Sequence, residues 1–315
     1  MSAAGPNAEV VPARGATVDQ VELGLISTTV ILYAGGWIAA EFALRTIAPL
    51  SLAAYRFTIA GVVLVVVARL GGQSLGLERP KTIVALALFG IAIGHAFFYW
   101  GLRLAPATDG SILNTALTPI LTLAAGVVVL HERISRRGML GALLGIAGVL
   151  LVVAGPREGG GEAVLVGDLL LAVGASSIAV YTVLGRVAMT SGSVIGVTGS
   201  STLLAGLMLL PFALLTEPPF QPATWSFETW LAFGYMTVPS AVVAAAVYYA
   251  LVHRSGAVRA TLVQYVVPVV VFGLSAWLFD EKLTVLRVAG VLVALAGTRL
   301  MLTDRRTGIA VPIEA

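Results

Sequence analysis

The sequence predicts an all-α integral membrane protein of ten transmembrane helices, arranged as two inverted five-helix repeats. Composition, the number of long apolar runs and an internal duplication predict this fold. Of the 315 residues, 58% are hydrophobic and 11% are charged, and the mean hydropathy is +0.97. A soluble domain carries roughly 25% charged residues. Because this chain has too few polar groups to cover a surface facing water, lipid is its expected solvent.

Ten apolar runs approach the length of about 20 residues that a helix needs to cross a bilayer. They lie at 22–44, 50–70, 82–102, 108–130, 138–155, 166–185, 193–215, 229–251, 259–279 and 284–303. Helices are expected because lipid offers no hydrogen-bond partner to backbone N–H and C=O groups. The runs also lack the alternation of polar and apolar residues that is typical of transmembrane β-strands.

An internal duplication divides the runs into two sets of five. The segment "TPILTLAAGVVVLHERIS" at 118–135 aligns with "VPVVVFGLSAWLFDEKLT" at 267–284 at a constant offset of 149, which matches Pro119 with Pro268. The sequence therefore predicts a polar N-terminal tail at 1–20, a first repeat at 21–156, a linker at 157–163, a second repeat at 164–303 and a C-terminal tail at 304–315. Below, the two repeats are called the first half and the second half.

The odd number of spans in each repeat predicts that the two halves enter the membrane from opposite sides. Thirteen of the 19 Lys and Arg residues then fall on the side that carries both termini, and six fall on the other side. Because positive residues concentrate on the cytoplasmic side, both termini are expected in the cytoplasm and the protein in the cytoplasmic membrane. Inverted repeats of this kind are typical of transporters, whose substrate site lies near the midplane between the halves.

Several local patterns together carry a family resemblance. They are "APLSLAAYRFTIAG" at 48–61, "ALTPILTLAAGVVVLHERIS" with "GALLGIAGVLLVVAG" in the first half, and "YVVPVVVFGLSAWLFDEKLT" with "AGVLVALAG" in the second. In this order and spacing, the chain resembles an EamA-type member of the drug/metabolite transporter superfamily. The resemblance implies a bacterial inner-membrane carrier and not an enzyme. It also implies that the solute is an amino acid or a related metabolite, often exported.

Candidate substrate-binding residues come from polar and aromatic side chains inside the spans, which usually face the bundle interior. His95 lies near the middle of the third span, and Tyr99 follows it one helical turn later on the same face. The full set of candidates is Tyr33, Trp37, His95, Tyr99, Asn114, Thr115, Tyr181, Tyr248, Gln264 and Tyr265. The alternatives are structural: a buried imidazole bonded to a neighbouring helix, Thr side chains bonded to backbone, and Tyr or Trp rings in the interfacial belt.

Charged residues and prolines in the spans supply candidates for coupling and movement. Glu41, Arg45 and Arg56 lie toward the outer ends of the first two spans, where they form either a structural ion pair or a proton-coupling or gating group. Pro119 and Pro268 lie at matched positions, each of which interrupts the hydrogen bonds of its helix. They are hinges for rocking one half against the other, or static bends.

Taken together, these features predict a secondary transporter that moves a small amphipathic metabolite by alternating access between the two halves. Aromatic and hydrogen-bonding side chains suit such a solute better than a polyanion, since all Lys and Arg lie at or near span ends or in the tails. Proton coupling and simple facilitation both remain open, as do a monomer and a homodimer with a glycine-lined fifth span as contact. Alternatives are an intramembrane enzyme or lipid-handling protein, a sugar-phosphate or nucleotide-sugar exchanger of the same superfamily, and a channel.

No cofactor, metal or nucleic-acid partner is predicted. The chain has no cysteine, and no stretch fits the ATP-binding pattern G-x-x-x-x-G-K-[ST]. The cluster His131-Glu132-Arg133 has no second histidine at ligand spacing and marks a helix end rather than a metal site. Transport is therefore expected to use a gradient of the solute or of an ion.

Overall fold

The computed structural model describes residues 20–130, 135–154, 161–188, 192–255, 262–279 and 284–302, and the regular structure within these ranges is helical. Six helices in the described residues are long and apolar enough to cross a membrane, and the shorter segment Val266–Phe279 is also apolar. The cluster at residues 131–134, which the sequence marks as a helix end, lies outside the described residues.

The helices follow the predicted spans closely. We label them α1 Gln20–Leu44, α2 Pro49–Leu70, α3 Pro80–Leu104, α4 Ala107–Leu130, α5 Arg136–Ala154, α6 Gly161–Ala188, α7 Val194–Thr216, α8 227–255, α9 Leu262–Phe279 and α10 Val285–Leu302. Local sequence sets several of the starts. Pro49 and Pro80 lie in the first turns of α2 and α3, where a missing N–H costs nothing. Ser193 caps α7 by accepting a hydrogen bond from the Gly196 N–H at 3.0 Å.

Two of the helices, α3 and α8, are interrupted by π-helical segments. In α3 the segment Leu86–Ala92 separates two α-helical parts. In α8 a turn at Val238 and the π segment Pro239–Val243 separate Phe227–Thr237 from Ala244–Ser255. Pro239 has no N–H, so the α-helical hydrogen-bond ladder cannot continue through it. Because α3 and α8 are the third helices of the first and second halves, the interruptions fall in corresponding elements.

Close antiparallel packing joins α2 of the first half to α7 of the second. Gly61 faces Leu203, whose side chain would lie 2.7 Å from a Cβ at the glycine, and Gly199 faces Leu64 at 3.0 Å. Residue numbers increase from Gly61 to Leu64 on α2, whereas those of their partners decrease from Leu203 to Gly199 on α7. The two helices therefore run in opposite directions. Larger side chains at these glycines would push the two halves apart.

The same arrangement joins α5 to α10. Gly148 packs against Ala294, whose Cβ would be 2.7 Å from a Cβ at the glycine, and Gly297 packs against Gly145. At the offset of 149, Gly148 matches Gly297 and Gly145 matches Ala294. The two contacts are therefore the same contact with the halves exchanged. The sequence left open whether these glycines face the bundle or a second protomer, and the structure uses Gly145 and Gly148 within the chain.

Candidate substrate site

The candidate site is centred on α3, directly after its π segment. His95 Nδ1 lies 3.0 Å from the carbonyl oxygen of Ile91, which belongs to the π segment. This bond of the imidazole is therefore to the backbone of its own helix. Its ring meets the Phe57 ring of α2 edge to face, with centroids 4.5 Å apart and planes 75° apart. These contacts fix the orientation of the ring between α2 and α3.

Arg56 of α2 is the charged group of this site. Its Nη1 donates a hydrogen bond to the Tyr99 hydroxyl, and its Nε donates to the carbonyl oxygen of Met236 at 3.0 Å. The guanidinium also lies over the rings of Phe57 and Tyr99, at 5.2 and 6.0 Å from their centroids. Met236 lies in the last turn of the first part of α8, just before Pro239, so a cation from the first half is bonded to backbone next to the interruption of the second.

The structure gives Glu41, Arg45 and Arg56, the candidates for an ion pair or for a coupling or gating group, different partners. Arg56 bonds to Tyr99 and Met236, and Arg45 lies over the rings of Phe42 and Phe279 at 4.8 and 4.9 Å. Glu41 accepts a hydrogen bond from the backbone N–H of Ala107, at 3.0 Å, at the start of α4. Arg56 lies about 10 Å along α2 from its start at Pro49, at a rise of about 1.5 Å per residue.

A line of rings extends the site from Arg56 to α1. The Trp37 ring lies 5.0 Å from the Phe98 ring, and His95 lies 5.9 Å from Phe98 and 6.2 Å from Tyr99. Arg56, His95, Trp37 and Phe98 are half-buried, whereas Tyr99 is fully buried. Three of the predicted substrate-binding residues, Trp37, His95 and Tyr99, are thus brought together by α1 and α3.

Tyr33 and Tyr248 form a separate aromatic pair between α1 and α8, with ring centroids 6.4 Å apart. Tyr33 lies one helical turn before Trp37 on α1. Tyr248 lies in the second part of α8, after the π segment. The predicted aromatic candidates of α1 and α8 therefore meet each other beside the ring line.

Other predicted residues lie elsewhere. Tyr181 of α6 donates to Thr198 of α7 at 3.3 Å. Asn114 accepts from Thr118 at 3.2 Å within α4. Thr115 lines a gap too small to hold water, between α4, α9 and α10, together with Pro268. The backbones of Gln264, Tyr265 and Pro119 are helical, but their side chains lie outside the described part of the structure.

A cavity of about 540 Å³ lies at the end of the bundle where α1 ends and α2 begins, which we call the α1–α2 end. Glu41, Arg45 and Arg103 line it, together with Val164 at the start of α6 and Phe279 at the end of α9. Two of the three gate candidates therefore border an opening that a small solute fits. Among the described residues, no group of three or more His, Asp or Glu side chains could hold a metal ion.

Sequence reasoning missed two carboxylates that connect the halves. Asp109 in α4 forms a buried ion pair with Arg287 in α10. Glu217, at the end of α7, accepts hydrogen bonds from the backbone N–H groups of Leu50 and Ser51 at 2.8 and 2.6 Å. The available signal was that Asp109 and Arg287 each stand just inside the start of an apolar run, where a charge needs a partner.

Known proteins resemble this chain over nearly its whole length. The EamA-like transporter family matches residues 21–154 and again 165–303. An uncharacterized transporter of Archaeoglobus fulgidus is 28% identical over 282 residues, covering 88% of this chain and 95% of that protein. The uncharacterized transporter YyaM of Bacillus subtilis is 25% identical over 266 residues, covering 82% and 86%.

Two further comparisons agree with these. The uncharacterized inner membrane transporter YedA of Escherichia coli is 24% identical over 263 residues, covering 83% of this chain and 84% of that protein. A solved crystal structure superposes with a TM-score of 0.64 at 21% identity, covering 89% of this chain and 96% of its own. At that identity the likeness shows the fold alone.

Proposed function

Since the chain belongs to the EamA-like transporter family and is a membrane transporter rather than an enzyme, we propose that it is a secondary carrier of a small amphipathic metabolite. The solute is an amino acid or a close relative, and the membrane is the cytoplasmic one. Export is the direction that the family resemblance implies. Alternating access between inverted halves moves the solute.

The observation that carries this proposal is the meeting of α2, α3 and α8 at Arg56. In carriers built from inverted repeats, the solute site lies where discontinuous helices expose backbone groups between the halves. Here α3 and α8, the matching helices, are both interrupted, and the Met236 carbonyl next to one interruption accepts from Arg56. The half-buried His95 and Trp37 beside it supply rings and a polar nitrogen, which suit an amphipathic solute.

The antiparallel contacts between matched helices support alternating access. The α5–α10 contacts come in pairs that exchange the halves, as Gly148 with Ala294 and Gly145 with Gly297 do. Contacts paired in this way allow the two halves to rotate against each other about the α5–α10 interface. The cavity bordered by Glu41 and Arg45 then forms the entrance at the α1–α2 end.

Counterflow in proteoliposomes tests the proposal. The purified protein is expected to give saturable uptake of at least one standard amino acid, accelerated by the unlabelled compound inside. His95→Ala and Tyr99→Phe should raise KM or lower the rate at least tenfold. Tyr235→Phe is the matched control, because the Tyr235 hydroxyl donates to the backbone carbonyl of Ile31 at 3.1 Å, a bond in which neither His95 nor Arg56 takes part. Flux that rises linearly without counterflow indicates a channel instead, and absence of flux contradicts the proposal.

The driving force is tested in the same liposomes with an imposed pH gradient. If a proton is coupled through His95 or Glu41, His95→Gln or Glu41→Gln removes the acceleration by the gradient while counterflow persists. If the uptake rate of the wild-type protein is the same with and without the pH gradient, the carrier is a facilitator. Gradient dependence that persists in both variants places the coupled proton at another residue.

A further inference from the structure

Arg56 stands in the membrane-spanning helix α2 with no carboxylate of the described residues at ion-pair distance. Its partners are a phenol, a backbone carbonyl and two rings. A charged side chain inside a membrane span is costly, and it normally pairs with an opposite charge or faces a water-filled or ligand-filled space. The neutral partners of Arg56 orient the guanidinium without neutralising it.

Arg287 shows how the same chain neutralises a buried guanidinium. Arg287 is 6% exposed and forms an ion pair with Asp109. Arg56 is only half-buried, and no carboxylate in the described part of the chain pairs with it as Asp109 pairs with Arg287. The contrast indicates that the countercharge of Arg56 comes from outside the protein.

The guanidinium of Arg56 also has N–H groups that can donate hydrogen bonds to a ligand. A guanidinium has more N–H groups than the two that bond to Tyr99 and Met236. Its Nη2 group forms no hydrogen bond with a described residue. A planar fork of N–H donors matches a carboxylate in bidentate geometry. The two existing bonds hold the fork in place, so little side-chain freedom is lost when an anion binds.

The rings beside Arg56 restrict the remainder of the ligand. Phe57 lies beside the guanidinium, His95 contacts Phe57, Phe98 contacts His95, and Trp37 continues the line on α1. Such a wall favours an apolar or aromatic body attached to the anionic group. One cation balances a single negative charge, whereas a phosphate dianion would bring an uncompensated second charge into the bundle.

From these contacts we infer that Arg56 binds the carboxylate of the transported solute, and that the carrier selects monocarboxylates with an apolar or aromatic side chain. Tyr99 and the Met236 carbonyl position the guanidinium, and the rings contact the body of the solute. The inference rests on the proposed transport function, and it predicts which functional group of the solute is indispensable.

The test compares acids with analogues that lack the carboxylate in proteoliposomes. Counterflow is measured for the twenty standard amino acids, and the best of them is competed with its amide, its decarboxylated amine, its deaminated acid and phenyl phosphate. The amino acid and the deaminated acid should compete, whereas the amide and the amine should compete at least tenfold more weakly. Equal competition by the amide, or stronger competition by phenyl phosphate, overturns the inference but leaves transport standing. Absence of flux for every amino acid overturns the proposed function itself.

Variants of Arg56 then separate binding from a structural role. Arg56→Gln should weaken binding of the acids by roughly tenfold to a hundredfold, the range for a hydrogen bond to a charged group, and abolish the preference for acid over amide. Arg56→Lys keeps the charge without the fork, so it should keep part of the preference, and it replaces Arg56→Gln if that variant does not fold. Arg69→Gln, an exposed arginine in the last turn of the same helix, should retain wild-type selectivity. An unchanged acid-to-amide preference in a folded Arg56 variant overturns the inference.

Discussion

Asp109 and Arg287 form a buried ion pair that ties α4 of the first half to α10 of the second, with side chains 0% and 7% exposed. Both lie in the first turn of their helices. A carboxylate is favoured at a helix N-terminus and a cation is disfavoured there. Arg287 is therefore destabilised by its own helix, and Asp109 offsets that cost as well as the cost of burial.

The pair exists at one end of the bundle only. At the offset of 149, the positions equivalent to Asp109 and Arg287 are Val258 and Gly138, which cannot form an ion pair. If access alternates between the two ends, an ion pair links the halves at the α1–α2 end, and the matched positions at the other end cannot form one. Opening there has to move α4 relative to α10, and the pair opposes that movement.

We expect Asp109→Asn to destabilise the protein strongly. It leaves Arg287 buried without a countercharge, which costs about 3–5 kcal/mol when one partner of a buried pair is removed. Thermal unfolding of the purified protein in detergent measures the loss. The double variant Asp109→Asn with Arg287→Gln should be more stable than Asp109→Asn alone, because no charge is left buried. If the two single effects simply add in the double variant, the ion pair does not couple the halves.

A second link between the halves is the capping of α2 by Glu217. The residue before α2, Ala48, has no side chain that can cap the helix, so both oxygens of Glu217 accept the N–H groups of Leu50 and Ser51 from across the interface. Glu217→Ala should cost about 1–3 kcal/mol, as expected for hydrogen bonds to a charged acceptor. Glu217→Gln should cost less, because one acceptor oxygen remains. Glu228→Ala, at an exposed position in the first turn of α8, is the control, and an equal effect there contradicts the capping role.

Helix positions were predictable from sequence because lipid imposes them. The second predicted span, 50–70, differs by one residue from the observed α2, Pro49–Leu70. The π segments of α3 and α8 were not predicted, since hydropathy is insensitive to a shift in hydrogen-bond register. Pro239, in the middle of an apolar run, was the one local signal of the interruption in α8.

Within the site, residues that share one helix were predicted better than residues that meet across helices. His95 and Tyr99 followed from their four-residue spacing, and they lie together. Asn114 and Thr115 could not both face the site, because neighbours on a helix point about 100° apart, and Thr115 faces α9 and α10. The partners of Arg56, which are 43 and 180 residues away, depend on how the helices pack, and no local pattern encodes that.

The close approach of α1 to the π segment of α8 yields a third prediction. A Cβ at Gly36 would collide with the Ser240 hydroxyl and lie 2.9 Å from the Ser240 Cβ. Gly36→Ala should cost about 1–3 kcal/mol through overpacking and lower transport at least tenfold, because α8 would be displaced beside the site. Thermal unfolding and counterflow measure the two effects.

The controls for Gly36 are on the same two helices. Gly24→Ala on α1 has open space around the added methyl group and should leave stability and transport near wild type. Adding Ser240→Gly to Gly36→Ala removes both colliding atoms and should restore transport relative to Gly36→Ala. If the double variant is as impaired as Gly36→Ala, contact between these helices is not the cause.

The inverted arrangement of the halves is tested by labelling two equivalent loops. The wild-type chain has no cysteine, so a single introduced thiol is the only target for a maleimide. Gln73 follows the second helix of the first half, Gln221 follows the second helix of the second half, and both are exposed. In intact cells, a membrane-impermeant maleimide should label Gln221→Cys but not Gln73→Cys, and permeabilised cells should label both. Labelling of both in intact cells, or of neither, indicates halves of the same orientation and contradicts the inversion. Labelling of Gln73→Cys alone keeps the inversion but reverses the orientation that the excess of Lys and Arg predicts, since positive residues favour the cytoplasmic side.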